Sequence, residues 1–263
     1  MIKFCSLYSG SSGNCLFLGT EKTRILIDAG LSAKRIVEAL CSIGEKPSDI
    51  SAILVSHEHS DHVKGAGIFS RKFNVPVYAN ENTWDAMETA IGPIDSKNKM
   101  YFNSGKEFEI YDVCINPFNI PHDAAEPVGF NFFVGNRKIT TATDIGHINK
   151  GLLQYLENND LLFLESNHDV EMLKVGPYPW HLKRRIMGDS GHLSNEMAGK
   201  VIAYMAGKGT RKFLLGHLSR ENNFPELAYQ TVCNALSEKQ ICAGVDVELS
   251  VAMRDRAGRV IEV

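Results

Sequence analysis

Three imidazoles and two carboxylates fall within the short segment 55–62. Histidine is a common neutral nitrogen ligand of protein-bound metals, and carboxylates supply the harder oxygen that a divalent ion carrying reactive water also accepts. In an extended chain His57 and His59 lie on the same side, whereas Asp61 and His62 point apart and are placed to serve a second ion. The segment therefore predicts a metal site just after a strand. The simpler interpretation is a solvated polar turn.

Single ionisable residues follow other short apolar runs along the chain. Asp28 comes directly after the run 24–27, and three further residues stand in similar places: His122, Asp144 and His217. Side chains at one end of the strands of a layered α/β domain converge on one edge. These four residues are therefore candidates to complete the metal site.

The order of these residues resembles the metallo-β-lactamase superfamily. The motif HxHxDH occupies 57–62, with Asp28 before it and the other three residues after it, so the resemblance covers most of the chain. It implies an α/β fold, the four-layer αββα sandwich, formed by one domain over residues 1–263. With 44% hydrophobic residues, a chain of this length can bury one large core, and a second domain is unnecessary.

The same resemblance implies a centre of two divalent metal ions. The ligands it implies are His57, His59 and His122 for one ion, Asp61, His62 and His217 for the other, and Asp144 as a bridge. The resemblance also implies that Asp61 is a catalytic residue and that Asp28 is a carboxylate outside the ligand set that orients the ligands. Nitrogen and carboxylate ligands suit Zn²⁺, Mn²⁺ and Fe²⁺ alike. Two such ions lower the pKa of a bridging water and stabilise the charge that develops, so the expected chemistry is hydrolysis.

Two further segments favour a phosphodiester substrate. GHLS at 191–194 and HLSR at 217–220 resemble the tRNase Z and phosphodiesterase branch of the superfamily. By this resemblance His192 is a catalytic residue near the scissile phosphate, Glu165 orients it, and Ser219 contacts the substrate. A carboxylate beside an imidazole favours the charged ring, which suits it to meet a phosphoryl oxygen or to protonate the leaving alkoxide.

The residues also leave plainer interpretations open for these positions. His192 precedes a helix that Ser194 is placed to cap, and Glu165 fits an ordinary carboxylate at the end of a strand. His168, three residues after Glu165, is expected either in the outer shell of the site or on the surface.

Three segments resemble one branch of the superfamily more closely, the YycJ/WalJ-type nuclease-like hydrolases. They are SGSSGNC at 9–15, ESNHD at 165–169 and SGHLSN at 190–195. This resemblance implies a cytoplasmic nuclease-like hydrolase whose substrate is DNA rather than RNA, degraded from a 5′ end. Two alternatives remain open. One is a small-molecule hydrolase acting on a thioester or cyclic phosphodiester, and the other is a noncatalytic metal-binding regulatory partner.

The charge of the chain limits how it can hold nucleic acid. The formal net charge is −3, which argues against an extensive basic surface and against tight nonspecific binding. Basic density is local, at Lys183, Arg184 and Arg185. Trp180 stands just before them and offers a face for stacking, so this part of the connection 174–191 is a candidate substrate clamp. The alternative is a solvated loop.

Cysteine usage and hydropathy suggest a reducing, aqueous environment. The six cysteines form no CxxC pair, which is typical of buried thiols in a cytosolic protein. The first residues lack the pattern of a signal peptide, and no apolar run approaches 18 residues, so neither export nor a membrane span is expected.

Periodicity predicts alternating strands and helices along the chain. Helices are expected near 32–43, 150–157, 194–206 and 225–237, and strands near 112–120, 129–134 and 138–143. The alternating residues 245–251 followed by 260–263 predict a terminal hairpin.

Overall fold

The computed structural model describes all residues from 1 to 263. The chain divides into two compact units. The first comprises Met1–Asn119, Ala124–Val134 and Met253–Val263, and the second comprises Ile120–Asp123 and Gly135–Ala252. The single domain over 1–263 stays a prediction.

Strands and helices alternate along the chain. The strands are β1 (Lys3–Tyr8), β2 (Cys15–Gly19), β3 (Arg24–Ile27), β4 (Ala52–Leu54), β5 (Val77–Ala79), β6 (Lys99–Tyr101), β7 (Phe108–Ile110), β8 (Val113–Asn119), β9 (Val128–Val134), β10 (Arg137–Ala142), β11 (Leu161–Glu165), β12 (Lys212–Gly216), β13 (Glu248–Val251) and β14 (Ile261–Glu262). The α-helices are α1 (Ala33–Ser42), α2 (Ser60–Val63), α3 (Ala66–Phe73), α4 (Glu81–Ile91), α5 (Lys150–Tyr155), α6 (Val170–Val175), α7 (Trp180–Ile186), α8 (Asn195–Gly207) and α9 (Pro225–Ser237). None of the helices is long and apolar enough to cross a membrane.

The first unit contains a sheet in the order β14-β1-β2-β3-β4-β5-β6. Strands β1 to β3 pair antiparallel, and β3 to β6 pair parallel. The apolar residues of β3 and β4 are buried, as expected of parallel strands covered on both faces. Their carboxyl ends lie side by side, because the backbone N–H of Asp28 donates to the carbonyl of Leu54. Asp28 and the segment 55–62 therefore leave the sheet at the same edge. The same unit holds the antiparallel strands β7, β8 and β9.

The second unit contains four parallel strands in the order β13-β12-β11-β10. Parallel strands place their carboxyl ends on one edge, where functional residues of α/β folds gather. Glu165 is the last residue of β11, and Asp144 and His217 follow β10 and β12. Connections between short buried strands thus bring carboxylates and imidazoles to one edge of this unit.

The predicted helices and strands are confirmed to within a few residues, and the helix starts have the expected chemistry. The side chains of Ser32, Asn80 and Ser194 accept the backbone N–H three residues on, at the starts of α1, α4 and α8. The predicted terminal hairpin is wrong. Strand β13 pairs in parallel with β12, and β14 pairs antiparallel with β1. Alternating residues identify a strand, but they do not identify its partner.

Candidate active site

The HxHxDH segment forms a compact group of side chains in the first unit. His57 and His62 are fully buried, while His59 and Asp61 are half-buried. The ring centroid of His57 lies 4.6 Å from that of His59 and 4.0 Å from that of His62. Nε2 of His62 lies 3.6 Å from Oδ2 of Asp61. Four of the predicted metal ligands are thus adjacent within this unit.

Asp28 holds this group through direct and relayed hydrogen bonds. Its Oδ1 accepts the backbone N–H of Ser56 at 2.8 Å, and its Oδ2 accepts the Ser56 hydroxyl at 2.9 Å. The same Oδ2 lies 2.7 Å from Nδ1 of His62. Since the hydroxyl gives its one proton to Asp28, it is an acceptor towards Nδ1 of His57, 3.0 Å away. Both imidazoles therefore carry their proton on Nδ1 and keep Nε2 as the donor atom for a metal.

Asn14 also belongs to this group, and sequence reasoning did not single it out. Its Nδ2 lies 3.1 Å from Nε2 of His62 and 3.4 Å from Oδ2 of Asp61, and its backbone N–H donates to the carbonyl of Asp61 at 2.8 Å. A Cβ on the neighbouring Gly30 would lie 1.6 Å from that carbonyl, so only glycine admits this approach. Asn14, in the segment 9–15, thus holds the metal-ligand segment, whereas in the sequence 9–15 indicated only the resemblance to one branch of the superfamily.

In the second unit, Glu165 joins two histidines through one oxygen. This carboxylate is fully buried, and its Oε1 lies 2.8 Å from Nδ1 of His192 and 2.8 Å from Nδ1 of His217. Its Oε2 accepts the backbone N–H groups of Ile145 at 2.8 Å and Leu193 at 3.0 Å. The contact with His192 is the one anticipated from the sequence. The contact with His217 is additional, and no motif pointed to it.

The electrostatics of this group favour an ionised Glu165. Burial by itself would raise the pKa of Glu165, but the imidazoles of His192 and His217 hold it well below its usual range. A carboxylate at this position accepts Nδ1–H from both rings. His192 is thereby left with Nε2 as its available nitrogen, and its side chain is 18% exposed.

Asp144 and His122 complete the group in the second unit. Oδ1 of Asp144 lies 3.4 Å from Nδ1 of His217, 3.6 Å from Nδ1 of His192 and 3.8 Å from Nε2 of His122. Nδ1 of His122 lies 3.1 Å from the carbonyl of Gly191. Burial lowers the pKa of His122, which keeps this imidazole in the neutral form that binds metals.

Three of the site residues have left-handed backbone conformations. The φ angles are 58° at Asp28, 59° at Asp144 and 55° at His217. This region is uncommon for residues other than glycine, although Asp, Asn and His are enriched there. Each of the three follows directly or closely on a buried strand and turns its side chain at the point where the strand stops.

The donor atoms fit divalent metal ions. One atom each of Asp144, Glu165, His192 and His217 lies within 4.8 Å of the others. The group in the first unit offers three imidazoles and a carboxylate, and hydrogen bonds at Nδ1 orient two of the imidazoles, those of His57 and His62. Nitrogen and oxygen donors of this kind suit Zn²⁺, Mn²⁺ and Fe²⁺.

His168 lies near this group without being bonded to it. The residue is 2% exposed, and its Nδ1 has no hydrogen-bond partner. Burial lowers the pKa of His168 to about 4, so the ring is neutral at physiological pH. It does not orient a metal ligand through a hydrogen bond, as an outer-shell residue would, and it lines a cavity instead.

The residues expected to contact the substrate are divided by the structure. Trp180 is 62% exposed at the start of α7, and Arg184 is exposed on the same helix. Lys183 is buried, and its ammonium donates to the carbonyl of Lys174 at 2.7 Å. Lys183 thus ties α6 to α7, and the three cations lie on a helix rather than in a loop, while their contact with the substrate stays a prediction.

The other two predicted substrate contacts also have partners within the protein. Nε of Arg185 donates to Oδ2 of Asp123 at 2.5 Å, although the side chain is 51% exposed. Ser219 is buried, and its hydroxyl accepts from the backbone N–H and from Nδ2 of Asn222, both at 3.3 Å. In the structure Ser219 stabilises the turn after His217.

The chain belongs to the β-lactamase superfamily. Its sequence matches the family described as the beta-lactamase superfamily domain over residues 23–218, a range that includes both groups of side chains. The predicted α/β metallo-β-lactamase sandwich is confirmed by its likeness to solved structures. The metallo-β-lactamase fold protein YhfI from Bacillus subtilis has a TM-score of 0.72 and 15% sequence identity, and the match covers 98% of both chains.

Two named relatives are similar over nearly their whole length. Exodeoxyribonuclease WalJ of Streptococcus pneumoniae serotype 2 (strain D39 / NCTC 7466) is 42% identical over 99% of this chain and 98% of its own. Exodeoxyribonuclease YycJ of Bacillus anthracis is 44% identical over 94% of each chain. The resemblance to this branch of the superfamily, predicted from three short segments, is confirmed.

Proposed function

We propose that this protein is a metal-dependent cytoplasmic exonuclease that degrades DNA from a 5′ end. The full-length similarity to exodeoxyribonucleases supports the DNA substrate. The observation that carries the chemistry is the buried Glu165, which holds His192 by Nδ1 and leaves Nε2 for a phosphate.

Two divalent ions are part of the proposal. The ligand set follows the family pattern: His57, His59 and His122 for one ion, Asp61, His62 and His217 for the other, and Asp144 for both. The ions, when bound, supply a water of lowered pKa and positive charge towards the phosphate. The oriented imidazoles in each unit and the nitrogen and oxygen donors support this set.

The role of His192 follows from its partner. Because Glu165 accepts Nδ1–H of His192, the opposite nitrogen of the ring is placed to donate Nε2–H to a phosphoryl oxygen or to give that proton to the leaving alkoxide. Glu165 positions this ring and does not itself touch the substrate. Asp28 likewise positions two rings: it contacts His62 directly, and it reaches His57 through the hydroxyl of Ser56. Trp180, Arg184 and Arg185 are the proposed contacts to the DNA beyond the cut.

The test compares single- and double-stranded DNA and RNA labelled at either end, with the purified protein loaded with Mn²⁺ or Zn²⁺. Release of the 5′-terminal label as mononucleotides supports the proposal. His192→Ala is expected to lower turnover by about 10²- to 10⁴-fold while the bound metal is retained. His181→Ala, a change of an exposed histidine on α7, is the matched control. Loss of metal in His192→Ala would contradict the assigned role.

A second candidate is supported by the net charge of −3, which is unusual for a protein that grips a polyanion. In that case the substrate is a small cyclic phosphodiester or a thioester. Hydrolysis of a chromogenic phosphodiester without any cleavage of DNA or RNA would favour this alternative.

A further inference from the structure

A cavity of about 350 Å³ opens beside His192 within the second unit. Its volume lies at the lower end of the range of small-ligand sites, roughly 300–1,000 Å³. The residues that line it come from the segments after β10 and β11 and from the start of α8. They are Gly146, His147, Ile148, His168, Val170, Met187, His192, Leu193, Ser194 and Met197.

The lining carries no lysine, arginine, aspartate or glutamate, and its polar side chains are three histidines and Ser194. Four apolar side chains line the cavity: Ile148, Val170, Met187 and Met197. Away from His192 the lining offers a phosphate group no lysine or arginine, whereas a flat neutral ring would find aliphatic carbon and the thioether sulfur that packs well against aromatic rings. The cavity is therefore suited to an uncharged aromatic group.

One residue of the lining, His168, carries a buried polar atom that lacks a partner. His168 is only 2% exposed, and its Nδ1 makes no hydrogen bond. A buried polar atom without a partner is uncommon and costs free energy, so such an atom often marks the place of a ligand or an ordered water. A neutral imidazole offers one donor and one acceptor, which match the edge of a nucleobase.

We propose that this cavity binds the base of the nucleotide whose phosphate meets His192. The inference rests on the proposed nuclease function, because His192 lines the cavity and also faces the scissile phosphate in that proposal. The base lies between Met187 and Met197, and His168 forms a hydrogen bond to its edge. Since the cavity holds a single base, it recognises the terminal nucleoside rather than the nucleotides further along the DNA strand.

The kinetic test uses oligonucleotides that differ only in the terminal residue, a normal nucleotide or an abasic one. The wild-type protein is expected to cleave the normal terminus with a kcat/KM about 10-fold higher, the size of the effect of stacking one base on a protein surface. Met197→Trp fills the cavity and is expected to reduce cleavage of the normal oligonucleotide to the abasic rate. Met253→Trp is the control, since Met253 is 40% exposed against 39% for Met197 and lies outside the cavity.

Direct binding separates this inference from the nuclease function. Deoxyadenosine, added to the metal-free protein, is expected to perturb the NMR signals of the His168 ring in the wild type and in Met253→Trp, but not in Met197→Trp. A protein that cleaves DNA yet is indifferent to the terminal base, or whose Met197→Trp variant keeps the preference, refutes the cavity as a base site. A protein without nuclease activity that still binds deoxyadenosine there refutes the proposed function and leaves the base site standing.

Discussion

Asp28 in the first unit and Glu165 in the second are both buried carboxylates that orient histidines, but they do so differently. Asp28 contacts one ring, that of His62, and reaches His57 only through the hydroxyl of Ser56. Glu165 binds two rings with the same oxygen. We therefore expect the relay through Ser56 to let the first group tolerate a change, whereas the second group depends on one oxygen atom.

The two groups also differ in how their residues are distributed along the sequence. Most of the first group lies in one contiguous segment, 57–62, so its chemistry is visible from residue types alone. The second group is assembled from residues after different strands, and only their order along the chain links them. A change in either carboxylate therefore tests a different kind of organisation.

The largest effect is expected for Glu165→Ala. Because both His192 and His217 lose their partner at once, kcat on end-labelled DNA should fall by about 10³-fold or more. Glu165→Gln keeps the shape of the side chain and removes its charge, so its kcat should lie between that of Glu165→Ala and that of the wild type. Initial rates at saturating metal provide the measurement, and Glu171→Ala on exposed α6 is the control. Turnover within twofold of the wild type would show that the shared oxygen has no functional weight.

His168 sharpens the comparison, because no carboxylate holds this imidazole. Its pKa is about 4 in the folded protein against an ordinary value of 6.5, and the largest cause is burial. The unfolded chain therefore binds the extra proton first, so the contribution to stability is present above pH 6.5 and is lost as the pH falls towards 4. The loss amounts to about 3 kcal/mol at full protonation. Urea unfolding of the metal-free protein between pH 7.5 and pH 4.5 checks this, and His168→Gln should flatten the curve. Parallel curves for the two proteins would contradict it.

Asp28→Asn is expected to act on metal affinity more than on turnover. Asparagine tolerates the left-handed backbone at this position, so the change isolates the lost charge. Outer-shell changes of this kind typically weaken metal binding by about 10- to 100-fold. Competition with a chelator measures the affinity, and Asp49→Asn, at an exposed position, is the control. If turnover at saturating metal falls as far as in Glu165→Ala, the relay through Ser56 gives no protection.

The smallest effect is expected for Asn14→Ala. The change removes the side-chain contacts to His62 and Asp61 and should lower the free energy of unfolding by about 1 kcal/mol. Denaturant unfolding provides the measurement, with Asn103→Ala on the exposed surface as the comparison. A loss as large as that of Asp28→Asn would mean that the turn 9–15 is as important as the carboxylate.

Much of the fold and of the site could be predicted from the sequence for physical reasons. Buried parallel strands require continuous apolar runs, and helix starts require capping side chains, so both leave local signals such as those at Ser32 and Ser194. The order of the ionisable residues after these strands gave the family. The contact between Glu165 and His192 was expected from the resemblance to the phosphodiesterase branch.

What the sequence could not predict depends on partners distant along the chain. The strand at 248–251 pairs with β12 rather than with the last strand, because alternation does not specify a partner. Lys183 reads as a surface cation, although its ammonium meets the carbonyl of Lys174. The second ring on Glu165 and the hold of Asn14 on His62 depend on approaches that no short motif encodes.

The left-handed residues Asp28, Asp144 and His217 have a practical consequence for anyone who selects variants of this protein. Glycine at these positions would relax the backbone, and asparagine would keep its geometry without the charge or the imidazole. A library screened only for heat resistance of the metal-free protein is therefore prone to drift towards molecules that are robust and inert. Selection should retain metal binding as a second criterion from the first round, so that relief of strain is not mistaken for improvement.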